Sequence, residues 1–190
     1  MPTDNPECRC ILCHVHEDQD ELDLTDQHTV EHVQARGWSV KMIPEDDHGP
    51  GFAYTVGLWH THRSPELAMF GLDVRLMHVL LNDLADEIAA GRPAQADEER
   101  HDLLERHPVV LKTVDLSWYR EFFGCAISFY RRLSFPVLEV LWPDRDGRFP
   151  WNTGYDEQYR ELQPHLWLNP EDHPTGVWTK LIQPPSPPAS

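Results

Sequence analysis

One stretch constrains the fold more than any other. Asp73 precedes a run in which Leu76, Leu80, Leu84 and Ile88 recur every fourth residue, with Met77, Leu81 and Ala85 beside them, and Gly91 follows. That spacing lines the side chains along one stripe of an α-helix, capped by Asp73 and stopped at Gly91, and the stripe needs an apolar surface to face. Short runs rich in β-formers supply it, at residues 38–43, 51–57, 66–71, 108–114 and 135–142. A further helix is expected to start at Thr25 as its cap, with Val30 and Val33 on its inner face and Gly37 as its stop. Residues 117–133 read as an aromatic helical stretch interrupted at Gly124. Residues 92–100 read as an exposed linker, and 143–147 as a turn by composition.

Strands and helices do not alternate strictly. The expected fold class is therefore α+β, a mainly antiparallel sheet of about five strands packed with two to four helices in a single domain. A Cys/His-rich, acidic segment at 1–24 precedes this domain at 25–168, and a Pro-rich, largely disordered tail at 169–190 follows it, with Pro184, Pro185, Pro187 and Pro188.

Charge narrows the function classes. The chain carries 16 Lys and Arg against 32 Asp and Glu, a formal net charge of −16. Nucleic-acid binding depends on cationic side chains that displace counterions from phosphate, so no nucleic acid is expected as a partner. Apolar runs such as 137–142 end far short of the roughly 20 residues that span a bilayer, so no membrane partner is expected either. The N-terminal residues have no basic stretch followed by an apolar one, and a cytoplasmic location is the expectation.

Cys8, Cys10, Cys13, His14 and His16 place five soft or imidazole ligands within nine residues. Zinc takes four such ligands in a tetrahedron, and a Cys-x2-Cys pair lets two thiolates converge on one ion. Zinc is the expected cofactor, with these five residues as its ligand candidates and histidines from elsewhere able to complete the set. The competing reading is a flexible tail with free thiols. His28, Glu31 and His32 match an H-x-x-E-H zincin pattern, read here as an exposed polar helix face. His60 and His62, in a stretch expected to be a loop before Pro65, read as scattered polar residues rather than a ligand pair.

Three stretches together resemble a bacterial family known as domain of unknown function 4262. The first comprises Gly51 to Leu58 (GFAYTVGL), Pro65-Glu66-Leu67, Phe70-Gly71-Leu72 and the helical Leu80 to Ala85 (LLNDLA). The second is Val140-Leu141-Trp142-Pro143-Asp144 with Gly147, Pro150 and Trp151, and the third is Gln163-Pro164 before His165-Leu166. Some members are also similar at the N-terminus, where they carry a Cys-x2-Cys like that of Cys10 and Cys13. The resemblance implies a fold and a location for a site, and no reaction.

Within these stretches Glu66 and Asp144 are the candidate catalytic groups, since a carboxylate at a strand end serves either as an acid or base or as an acceptor for turn amides. Tyr54, Thr55, Trp142, Trp151 and Gln163 are the candidate ligand-binding residues. Tyr54 and Thr55 point to opposite faces of one strand, so one of them is expected in the core and the other toward a ligand. Trp142 and Trp151 bracket Asp144 as either a pocket wall or a structural corner. The function expected is a non-catalytic module that binds a small molecule or a basic protein. The alternatives are a small metal-assisted or carboxylate-dependent hydrolase, and a metal or thiol redox sensor.

Overall fold

The computed structural model describes residues 8–13, 22–47, 49–133 and 135–180. Its frame is a six-stranded sheet in the order β1-β2-β3-β6-β5-β4. The strands are β1 (Ser39–Ile43), β2 (Phe52–Val56), β3 (Glu66–Phe70), β4 (Glu99–Arg100), β5 (Val109–Thr113) and β6 (Val137–Leu141). Every pairing is antiparallel except β3 with β6, where Glu66 lies opposite Val137 and Ala68 opposite Glu139. The fold is α+β, as expected, with the two-residue β4 added to the five strands legible in the sequence. Residues 92–100 are mostly exposed, as a linker should be, but Ala94 and Arg100 within them are buried. Arg100 is fully buried, with ion pairs to Glu87 at 2.6 Å and Glu98 at 2.8 Å.

Both faces of the sheet are covered. On one lies α3 (Val74–Ala89), whose Met77, Leu80, Leu81, Leu84, Ala85 and Ile88 are buried against Ala53, Leu67, Met69 and Leu138. Asp73 caps α3 by accepting the amides of Arg75 and Leu76 at 2.9 and 3.1 Å. On the other face lie α1 (Leu24–Arg36), α4 (Tyr119–Phe122) and α5 (Gly124–Tyr130), with Trp118, Phe122, Phe123, Phe129 and Tyr130 packed on Tyr54, Val56, Phe70 and Val137. The central strands β3 and β6 are buried along their whole length for this reason.

Local details differ from the sequence expectation where a neighbour decides. The cap of α1 is Asp23, which accepts the Asp26 amide at 2.8 Å; Thr25 lies inside the helix, and Gly37 closes it at φ 99°. The expected loop at His60 and His62 is a one-turn helix, α2 (Leu58–His62). Residues 169–180, placed in the tail from sequence, include α6 (Val177–Lys180), and its Trp178 is buried against Phe70 and Phe122. The prolines from Pro184 onward lie outside the described residues. No helix among the described residues is long and apolar enough to cross a membrane.

Candidate metal centre

The N-terminal segment meets α2 through three cysteines and α5 through Ile11. The Cys13 amide donates to the Cys10 carbonyl at 3.1 Å, closing a tight turn, and the Ile11 amide donates to the Phe129 carbonyl at 2.9 Å. Cys8 and Cys10 are 2% and 0% exposed, and Cys13 is half-buried. Facing them from α2 is His60, whose Nδ1 lies 3.8 Å from Cys8 Sγ, 3.2 Å from Cys10 Sγ and 3.4 Å from Cys13 Sγ. All four ligand atoms lie within 4.8 Å of one another.

These separations fit a tetrahedral zinc site. Zn–S bonds of about 2.3 Å and a Zn–N bond of about 2.05 Å place each nitrogen–sulfur edge of the tetrahedron at about 3.6 Å. The three nitrogen–sulfur distances, 3.2, 3.4 and 3.8 Å, bracket that value. The electrostatics carry the signature of crowded thiols. The hydrogen bond from Cys10 pulls the Cys8 thiol down to about 4, while the same bond and burial push Cys10 up.

The turn that carries His60 is held from a distance. Gly57 precedes α2 with φ 116°, and a Cβ there would stand 2.7 Å from Val33 Cγ2, so no capping side chain fits. Glu66 and Tyr130 take that part instead. Glu66, 1% exposed, accepts the amides of Gly57 at 2.9 Å and Trp59 at 3.0 Å, the Thr55 hydroxyl at 2.6 Å, and the Tyr130 hydroxyl. The Tyr130 oxygen in turn accepts the amides of Gly57 at 3.1 Å and His60 at 3.3 Å. Burial pushes the Glu66 carboxyl up, and its hydrogen bonds from Thr55, Tyr130, Trp59 and Gly57 oppose that shift.

The other residues singled out from sequence have structural partners. Tyr54 and Thr55 are both buried, so neither strand face at this position opens to solvent; the Tyr54 hydroxyl accepts the Cys125 amide at 3.3 Å, and the Thr55 oxygen accepts the Leu67 amide at 2.9 Å. Gln163 clamps the backbone of Trp142 in both directions, accepting its amide at 2.9 Å and donating to its carbonyl at 2.8 Å. Asp144 accepts the amides of Asp146, Arg148 and Asp156 at 2.9, 2.8 and 3.1 Å. Burial raises its pKa, but these bonds and the Arg148 guanidinium outweigh it and hold the carboxyl below the usual range. Trp151 is 44% exposed and stacks on Phe149 at 4.9 Å. Trp142 and Asp144 line an open cleft of about 630 Å³ with Arg106, His107, Arg145 and Tyr159.

Among the described residues, the Cys8, Cys10, Cys13 and His60 group is the one cluster that could hold a metal ion. His28, Glu31 and His32 are exposed on α1, as a polar helix face should be. His14 and His16 lie outside the described residues. His60 is the ligand that sequence spacing passed over, because it lies 47 residues from Cys13 and its only local signal was the histidine at 62. No curated protein and no solved structure matches the chain significantly. Residues 32–156 match the family described as Domain of unknown function (DUF4262), and with two thirds of its length so matched the chain belongs to that family.

Proposed function

We propose that the protein is a non-catalytic binding module whose N-terminal segment is fastened to α2 by one zinc ion, with Cys8, Cys10, Cys13 and His60 as the ligands. The observation that carries this reading is the convergence of four ligand atoms within 4.8 Å from two segments far apart in sequence. Zinc bound by four protein side chains acts as a cross-link, with no position left for substrate or water. The candidate carboxylates support the non-catalytic half of the reading. Glu66 and Asp144 are taken up by backbone amides and hydroxyls that they accept from. The cleft beside Trp142 is where such a module would receive a small ligand.

Metal analysis of the purified protein tests the proposal. About one zinc per chain is expected, and Cys10→Ser, Cys13→Ser and His60→Ala should each lower it. The cobalt-substituted protein should show tetrahedral absorption that added azide leaves unchanged, since the site is closed. Metal-free wild-type protein, even when refolded with zinc, overturns the metal assignment. A cobalt spectrum that shifts with azide overturns the closed, non-catalytic assignment.

A further inference from the structure

We infer that Tyr130, fixed by the buried carboxylate of Glu66, is the positioning residue that sets His60 against the three cysteines, so that metal affinity is tuned from inside the sheet. The inference rests on the metal reading above. Its basis is the way α2 is capped. A helix start leaves amides that ordinarily find a side chain at the residue preceding the first turn. Here that residue is Gly57, packed so closely on Val33 and on the Gly37 carbonyl that it offers none.

The cap therefore comes from other elements. Glu66 at the start of β3 takes two of the amides, and Tyr130 at the end of α5 takes the His60 amide and shares that of Gly57. The Tyr130 hydroxyl donates its proton to Glu66, so its oxygen lone pairs are turned toward these amides. Tyr130 is itself locked in place, stacked on Phe135 at 4.7 Å and edge-on to Phe129 at 5.0 Å. The neighbouring Phe129 touches both halves of the centre: its carbonyl accepts the Ile11 amide, and its ring stands edge-on to the His60 imidazole at 6.3 Å. Two consecutive residues of α5 thus hold the cysteine turn and the histidine turn in mutual register. Groups beyond the direct ligands that orient an imidazole commonly set metal affinity by about 10- to 100-fold.

The test compares zinc affinity, by chelator competition, and the cobalt absorption spectrum in wild type, Tyr130→Phe and Thr55→Val. Tyr130→Phe removes one hydroxyl and should weaken zinc about 10- to 100-fold with a changed cobalt spectrum. Thr55→Val removes a different donor to Glu66, one that does not touch the His60 turn, and should leave both readouts within about threefold of wild type. In a His60→Ala background the effect of Tyr130→Phe should disappear, which separates orientation of the imidazole from general destabilisation. Should Tyr130→Phe not fold, Glu66→Gln carries the same comparison, since it keeps the shape and alters the partner of the hydroxyl. Unchanged affinity and spectrum in the positioning variant, or an equal loss in Thr55→Val, overturns the inference. Wild-type protein that binds no zinc overturns instead the metal reading beneath it.

Discussion

The backbone amide of Ile11 donates to the carbonyl of Phe129 at 2.9 Å, joining a segment near the N-terminus to the last turn of a helix more than a hundred residues later. One such bond contributes on the order of 1 kcal/mol, which is too little to hold a segment by itself. Ile11, Cys8 and Cys10 add a small buried patch. With free zinc at a thousandfold its dissociation constant, ligation would add about 4 kcal/mol. Chelation at neutral pH is therefore expected to lower the melting temperature and to open Cys8 and Cys10 to alkylation by iodoacetamide. Mass spectrometry should show labelling at these two residues rising on chelation while labelling of Cys125 is unchanged.

Gly71 joins β3 to α3 at φ 77°, and a Cβ there would lie 2.7 Å from the carbonyl carbon and the Cβ of Leu162. Both the backbone conformation and the approach of Leu162 exclude a side chain. Gly71→Ala should cost roughly 2–5 kcal/mol, combining left-handed strain with overpacking against backbone. Urea denaturation measures it, and a loss under 1 kcal/mol would show that the loop at Leu162 gives way freely.

Glu139 is 1% exposed in the centre of β6. One carboxyl oxygen accepts the Leu166 amide at 3.1 Å, and the other meets no donor among the described residues. Burial raises its pKa well above the ordinary 4.5, and the single amide bond only partly opposes that. An acid with a higher pKa in the folded chain holds more protons folded than unfolded, so it subtracts stability as pH rises above about 4.5. Glu139→Gln cannot ionise, and its stability should therefore gain on wild type between pH 5 and 8, with the gain vanishing near pH 4. Melting temperatures across that range decide the point; a constant difference at every pH would mean that Glu139 titrates alike in both states.

His165 shows the opposite linkage. Burial, then the neighbouring His173 and Arg160, push its pKa down to about 4 from 6.5. The unfolded chain then binds a proton that the folded chain refuses, so the stability present above pH 6.5 is lost as pH falls toward 4. The His165 ring stacks on Trp167 at 4.7 Å, a contact that phenylalanine preserves without a titrating nitrogen. His165→Phe should flatten the stability profile between pH 6.5 and 4 and leave it little changed above pH 7. An acid slope equal to that of wild type would place the proton uptake elsewhere.

Much of the frame was legible because it is encoded locally. The stripe from Leu76 to Ile88, the Asp73 cap, and the strands of β-formers all rest on periodicities within a few residues, and α3 and five strands follow them. The two-residue β4 escaped this reading because it carries no periodicity, and its Arg100 is buried where Glu87 and Glu98 neutralise it and the Pro93 carbonyl accepts from it. Thr25 gave way to Asp23 as a cap because neighbouring residues compete for the same helix amides. For the carboxylates, the sequence left acid–base chemistry and turn-capping both open. Only the positions of the Gly57, Trp59, Asp146, Arg148 and Asp156 amides show what Glu66 and Asp144 hold.

The sequence by itself determined that three thiols lie within six residues of one another at a spacing zinc favours, because that proximity is covalent. The tertiary structure alone decided which imidazole faces them. His60 reaches Cys8, Cys10 and Cys13 because Gly57 brings α2 against Val33, and because Glu66 and Tyr130 cap its first turn from β3 and α5. Those contacts join residues up to 73 apart, and no local pattern records them, since they exist only once the sheet has brought its strands together.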